Sequence, residues 1–313
     1  MRPLLLYLLL LCSSMGWAQR PAEAGIVSDN DLYTSVHNDR YYTNGLELFY
    51  RFLSNSDTLS ASRKIWEFRV GQYMYNPQSV YTAEPITQDR PYAGYLFAQG
   101  GINIYHANGN LLKANLQLGV VGPESGAEAT QKFLHGLLHY PRVLGWKYQI
   151  RTTPAVQLNA FYSHKLFSGN RLRKADYYVQ AEAQWGTIWS SASVGVMSRI
   201  SLNGMLTPIN HSSMYGAALN QSRDYTGRRE LFVFFNPRIQ YMYYDATIQG
   251  SPFNNSSPVT YTLIPFRFNA EAGIKYGRGR YTYAYSFNYR GQELRNNVIT
   301  GYYYGSIQLG YLF

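Results

Sequence analysis

The 313-residue sequence holds one cysteine, Cys12. That cysteine falls inside an N-terminal leader, so no disulfide is expected to support the exported chain. Past the leader no run of 18 apolar residues occurs, which excludes helical membrane spans. Also missing are a phosphate-binding glycine loop, paired zinc-ligand spacing and a G-x-S-x-G elbow. Charged side chains make up only 15% of the chain. The leader itself, MRPLLLYLLLLCSSMGWAQR, joins Arg2 to a short leucine-rich run and small residues at Gly16 and Ala18. It reads as a signal peptide over residues 1–18, cut after Ala18, ahead of a single domain over 19–313. Leu10 and Leu11 before Cys12 make a poor lipoprotein processing site.

In place of these features the chain has 31 tyrosines, 27 glycines and a formal net charge of +10. For an exported protein this basic balance suits anionic lipid headgroups or lipopolysaccharide phosphates, and nucleic acid is not expected as a partner. From about residue 44 the sequence alternates with period two in segments of about ten residues. Leu46, Leu48, Tyr50 and Phe52 alternate with Gly45, Glu47, Phe49 and Arg51. Leu112, Ala114, Leu116 and Leu118 alternate with Lys113, Asn115, Gln117 and Gly119. One face is apolar and ends in aromatics; the other is polar and often charged. The segment length matches a tilted strand crossing a bilayer, and the tyrosines at strand ends match interfacial girdles. The chain ends on a strand that alternates up to Phe313, as outer-membrane barrels do.

The expected fold is therefore all-β: a transmembrane antiparallel β-barrel of about 12 strands, with one short extracellular helix. The strands are placed at 24–31, 44–54, 64–75, 92–105, 111–121, 149–163, 175–187, 190–202, 230–245, 260–277, 279–291 and 302–313. Pro154, Pro237 and Pro265 fall near strand starts or bulges, where a missing amide is tolerated. With both termini periplasmic, the connections 31–43, 76–91 and 122–148 meet at the outer rim. The long segment 203–229 conflicts with this picture, because parity puts it on the side where turns are usually short.

The one amphipathic helix lies in 122–140. Ser125 and Glu128 have capping-box spacing. Glu128, Gln131, Lys132, His135 and His139 fall on one face, and Thr130, Phe133, Leu134, Leu137 and Leu138 on the other. The apolar side is expected to pack on a wall, leaving the two histidines to point elsewhere. His135 could serve as a base for water or simply sit on a solvated helix. His139 reads as a rim residue, and Glu128 as a cap or a metal ligand.

Four motifs share this order and rim: Asn30-Asp31, Asp39-Arg40-Tyr41-Tyr42-Thr43-Asn44-Gly45-Leu46, Asp89-Arg90-Pro91-Tyr92-Ala93-Gly94, and Gly122-Pro123 through His135. Together they resemble the lipid A deacylase family of the outer membrane, thinly over strands 7–12. That resemblance implies a twelve-stranded barrel with its site between the wall and an extracellular helix. It implies removal of the 3-position acyl or acyloxyacyl chain from lipid A, with Asn30, Asp31, Thr43 and His135 as catalytic positions. It also implies Ca2+ as cofactor, with Asn30 and Asp31 as metal ligands, which suits their hard oxygen donors. Thr43 could hold a water or a ligand. Thr82 stands near a position where some relatives carry a basic residue, so phosphate recognition would turn to Lys132, Arg40 or Arg90. Asp39-Arg40 and Asp89-Arg90 read as pins for the rim loops. The expected setting is the outer membrane of a Gram-negative bacterium, as a monomer with its site facing the outer leaflet. An outer-membrane phospholipase and a non-enzymatic pore or receptor are the alternatives.

Overall fold

The computed structural model describes residues 20–34, 41–54, 62–79, 84–137, 139–140, 143–167, 174–296 and 298–313. The leader, Asp39-Arg40 and Thr82 lie outside the described residues, as does the side chain of Thr43. Twelve strands close into one antiparallel barrel, each pairing with its sequence neighbours and the first with the last. They are β1 (Ala22–Asn30), β2 (Tyr41–Leu53), β3 (Ser62–Asn76), β4 (Ala93–His106), β5 (Leu111–Val121) and β6 (Thr153–Leu166), followed by β7 (Ala175–Gly186), β8 (Trp189–Ser201), β9 (Arg229–Asp245), β10 (Phe266–Arg278), β11 (Tyr281–Gly291) and β12 (Gly301–Leu312). The expected strand count holds. The largest boundary errors are at the sixth strand, expected from 149, and the tenth, expected from 260. Residues 145–148 form a 3-10 turn instead, and Pro265 closes the connection just before β10. Pro237 sits within β9, where β8–β9 pairing lapses between Gly195 and Ser198.

Alternation sets the two faces of the wall. Leu46, Leu48, Val70, Leu118 and Val156 are exposed on the outside, as a lipid-facing surface requires. The inward positions carry charges that satisfy one another. Arg69 bridges Glu47 (2.6 Å) and Glu67 (2.8 Å), and Arg199 meets Asp176 through Nη2 (2.5 Å) and Nε (3.0 Å).

The long 202–228 connection lies at the same rim as the termini, as strand parity requires, and it is not a strand-count error. It folds into the lumen. Lys275 Nζ donates to the carbonyls of Ser213 (3.0 Å) and Met214 (3.3 Å), and Gln180 Nε2 to Tyr215 Oη (2.6 Å). Arg63 donates to the carbonyls of Ala217 (3.1 Å) and Leu219. Lys275 and Arg63 take up the loop's backbone oxygens, which would otherwise be buried without donors. The far rim is closed by other connections. Arg90, fully buried, reaches Thr247 Oγ1 (3.1 Å) and Glu293 (3.5 Å) and lies 4.4 Å from the Tyr75 ring centre. Burial opposes its charge, but the carboxylates of Glu293 and Asp245 outweigh that and hold the guanidinium above its ordinary pKa. Between these closures a polar cavity of about 330 Å3 remains, bordered by Asp29, Gln117, Glu182 and Arg238.

Candidate active site

The alternation of β1 sends Asp29 and Asn30 to opposite faces. Asp29 points into the lumen, where it accepts from Tyr42 Oη (2.8 Å). Asn30 points outward at the strand end and pairs in register with Asn44 on β2, its Nδ2 donating to Asn44 Oδ1 (2.6 Å). Its Oδ1 accepts the Leu32 amide (2.7 Å) and so caps a 3-10 turn over Asp31–Tyr33. Asp31 is buried at the start of that turn. The turn lies against β12 because Gly305, the partner of Asn30 there, has no side chain. A Cβ on Gly305 would stand 2.6 Å from the Tyr33 Cβ. Thr43 sits between Tyr42 and Asn44, where the β2–β3 register shifts. Such a bulge re-aims the strand locally.

The strand register extends this row across the outer wall: Asn30 to Asn44, Asn44 to Met74 on β3, and Met74 to Gly94 on β4. The helix α1 (Ala127–Leu137) covers the far end of the row. A 3-10 turn over Pro123–Ser125 packs on β4 and β5, and α1 packs on β4 and β3. The helix thus runs across the strands toward β2 and β1. Gln72 Nε2 donates to the Ser125 carbonyl (2.6 Å), and Met74 packs with Tyr92, Ala127, Val143 and Trp146.

The buried stripe of α1 is Ala127, Gln131 and His135, while Phe133 is 68% and Leu137 63% exposed. This reverses the expected orientation: from the polar face Gln131 and His135 are buried, and the apolar face looks outward. Lipid around the barrel accounts for the reversal, because the outside of this wall is itself apolar. The capping box is also corrected. Glu128 pairs with Lys132 (2.5 Å), one turn on, and Ser125 Oγ donates to the Gly122 carbonyl (2.6 Å) and only weakly accepts the Ala127 amide (3.4 Å). Trp146 Nε1 donates to Gln131 Oε1 (2.6 Å), tying the middle of the helix to the following loop. At its end the Tyr140 amide donates to the His135 carbonyl (2.8 Å), and His139 takes a left-handed conformation (φ 58°). This is a Schellman stop. It takes His139 off the helix face assigned to it and sets Tyr140 edge-on to the His135 ring at 5.6 Å.

Of the other rim residues, Asp89 behaves as a pin: its carboxylate accepts from the Gln78 amide (2.8 Å) and Tyr41 Oη (3.3 Å), and its carbonyl from Asn296 Nδ2 (2.6 Å). Arg90, buried among Thr247, Glu293 and Tyr75, is not presented to a lipid phosphate, which corrects that assignment. Lys132 is exposed. A recess of about 710 Å3 beside α1 is bordered by Lys132, His135, His139, Tyr140, Val143 and Leu144. Asn30 and Asp31 do not border it. The structure brings His135 and the Asn30-Asp31 pair to one outward face of one rim, without joining them in one cavity.

The family model described as Outer membrane protein LpxR matches residues 4–313. The chain belongs to the LpxR family. Among solved structures, LpxR from Salmonella typhimurium is 18% identical and superposes with a TM-score of 0.74, covering 93% of this chain and 100% of that one. The β-domain of the Bordetella autotransporter BrkA is 10% identical with a TM-score of 0.46, covering 94% of this chain and 98% of its own. The translocator domain of NalP from Neisseria meningitidis is 10% identical with a TM-score of 0.44, covering 94% and 88%. A comparison with curated sequences finds no match.

At the end of β1 of this chain the donors are oxygen-based: the Asn30 amide oxygen and the buried Asp31 carboxylate. Among the described residues no three His, Cys, Asp or Glu side chains cluster as a metal site. A cation here would therefore rely on amide, carbonyl and water oxygens around one carboxylate, which fits calcium better than zinc. Sequence reading overlooked Asn44, Gly94 and Trp146 as contributors. The first two stand inside the rim motifs, but only the register puts them in one row. Trp146 has no local signal at all.

Proposed function

We propose that this LpxR-family barrel is a lipid A 3-O-deacylase that works at the outer leaflet of the outer membrane. The observation that carries the proposal is α1, a helix laid on the lipid side of the wall with His135 turned inward and Phe133 and Leu137 turned out. A site between helix and wall suits a substrate whose acyl chains lie in the bilayer beside the barrel. The connections that carry the site gather at the rim opposite the termini, which supports an outward-facing site.

In this reading Asn30 and Asp31 hold a calcium ion. When bound, it supplies positive charge to the ester carbonyl oxygen as that oxygen becomes an oxyanion. His135 takes a proton from water, and the water oxygen bonds to the ester carbonyl carbon. The bond from that carbon to the sugar 3-oxygen then breaks, and His135 returns the proton to the departing oxygen. A free 3-hydroxyl and a carboxylic acid result. The Tyr140 contacts hold His135 for this role through both its carbonyl and its ring. Thr43 is assigned by motif to hold a water or a ligand.

Mass spectrometry of lipid A from cells expressing the protein, with and without calcium, tests the proposal. The expected result is a calcium-dependent loss of one 3-linked acyl or acyloxyacyl group, abolished by His135→Gln in a barrel that still folds. Unchanged lipid A with the wild-type barrel folded in the membrane would overturn it. Fatty acid release from phosphatidylethanolamine instead would point to a phospholipase.

A further inference from the structure

We propose that Asn44 is a positioning residue for the candidate site and acts by fixing the side-chain amide of Asn30. The inference rests on the reading of Asn30 as a ligand-bearing residue and adds a residue to it. A backbone N–H can only donate, so the bond from the Leu32 amide identifies the Asn30 atom it meets as oxygen. The opposite end of that amide is then NH2, and the Asn44 atom 2.6 Å away must be an acceptor oxygen. One backbone amide thereby orients both side chains. With Leu32 on one side and Asn44 on the other, the Asn30 amide plane cannot rotate, and its remaining Oδ1 lone pair has one direction.

The setting makes this pair unusual. Asn30 and Asn44 are register partners on the outward face, and the next outward residues along β2 are Leu46 and Leu48, both exposed toward lipid. A pair of amides at the edge of an apolar surface carries a cost that leucines would avoid. The bond between them offsets that cost. The register shift at Thr43 lies next to Asn44 and interrupts the β2–β3 pairing beside it, which resumes at Tyr42.

The experiment compares Asn44→Ala, which removes the acceptor, with Asn44→Asp, which keeps one. Calcium binding to the purified full-length barrel in detergent is measured by calorimetry with calcium alone, alongside lipid A deacylation against calcium concentration. Heat-dependent gel migration reports whether each barrel is folded. Loss of an outer partner that orients a ligand typically weakens metal affinity by about 10–100-fold. The expected result is a loss of that order in Asn44→Ala, with activity recovered at raised calcium, and binding no weaker than wild type in Asn44→Asp. Wild-type binding in folded Asn44→Ala overturns the inference, as does equal loss in both variants. Asn30→Ala separates the two levels. If it binds calcium and deacylates normally, the assignment of Asn30 itself is wrong. If it is defective while Asn44→Ala is normal, only the role of Asn44 fails.

Discussion

At Gly94 the wall and the start of the helix are in close contact, and Gly94→Ala tests whether their spacing sets activity. A Cβ there would lie 2.1 Å from Ser125 Oγ and 2.3 Å from the Ala127 Cβ. Carbon atoms in ordinary contact are about 3.5–4.0 Å apart. The Ser125 hydroxyl can rotate away by giving up its bond to the Gly122 carbonyl. The Ala127 Cβ is fixed to the helix backbone, so α1 itself must lift by roughly 1 Å or more to restore contact distance. The barrel should survive, since Gly94 faces outward and its ladder bonds to β3 remain. A shift of that size at a reacting group costs on the order of 10²-fold in rate. Gly100→Ala, on the same strand, is the control: its Cβ would meet only the Phe68 ring, at 3.5 Å. Initial deacylation rates of the two variants, each folded by heat-dependent gel migration, decide the matter. If Gly94→Ala keeps the rate of Gly100→Ala, the seating of α1 on β4 does not position the catalytic group.

Two other contacts give separate predictions. Trp146→Phe leaves Gln131 Oε1 buried without its donor, at a cost of about 1–3 kcal/mol. Hydrogen exchange should show α1 opening more often while the barrel strands keep their protection. His211, in the lumenal loop, has its pKa pulled below the usual 6.5 by burial and by the nearby Arg63 guanidinium, which lies 3.1 Å from its Nδ1. Its folded form therefore favours the neutral ring. The stability this contributes is present above pH 6.5 and is lost as pH falls through the lowered value. Protection of residues 209–219 should weaken in that acidic window, and His211→Gln should remove the effect.

Much of the barrel was legible because a membrane wall imposes period two along most of each strand. The expected 111–121 matches β5 residue for residue, and 230–245 misses β9 by one. Parity placed the 203–229 segment at the terminal rim, but its entry into the lumen was not legible. That depends on Arg63, Gln180 and Lys275, donors from three separate strands that only the closed barrel brings to one place. The site was legible as motifs and illegible as geometry. Asn30 and Asn44 are 14 positions apart, and their pairing depends on where β2 begins and on the shift at Thr43. Helical spacing identified His135 as one of a polar stripe, yet spacing does not say which side of the helix the stripe will face.

The inverted helix shows why. A period of 3.6 residues separates an apolar face from a polar one, and in a soluble protein the apolar face goes inward because the surrounding solvent is water. Beside this wall the surroundings are lipid, so Phe133 and Leu137 lose nothing by facing outward. The polar stripe then has to find its partners on the protein side. Gln131 finds Trp146, and His135 is turned inward with Tyr140 set against its ring. The same reversal that misleads a reading based on water creates the conditions proposed for ester hydrolysis: a buried histidine on the protein side of the helix, screened by an apolar helix face from the surrounding hydrocarbon.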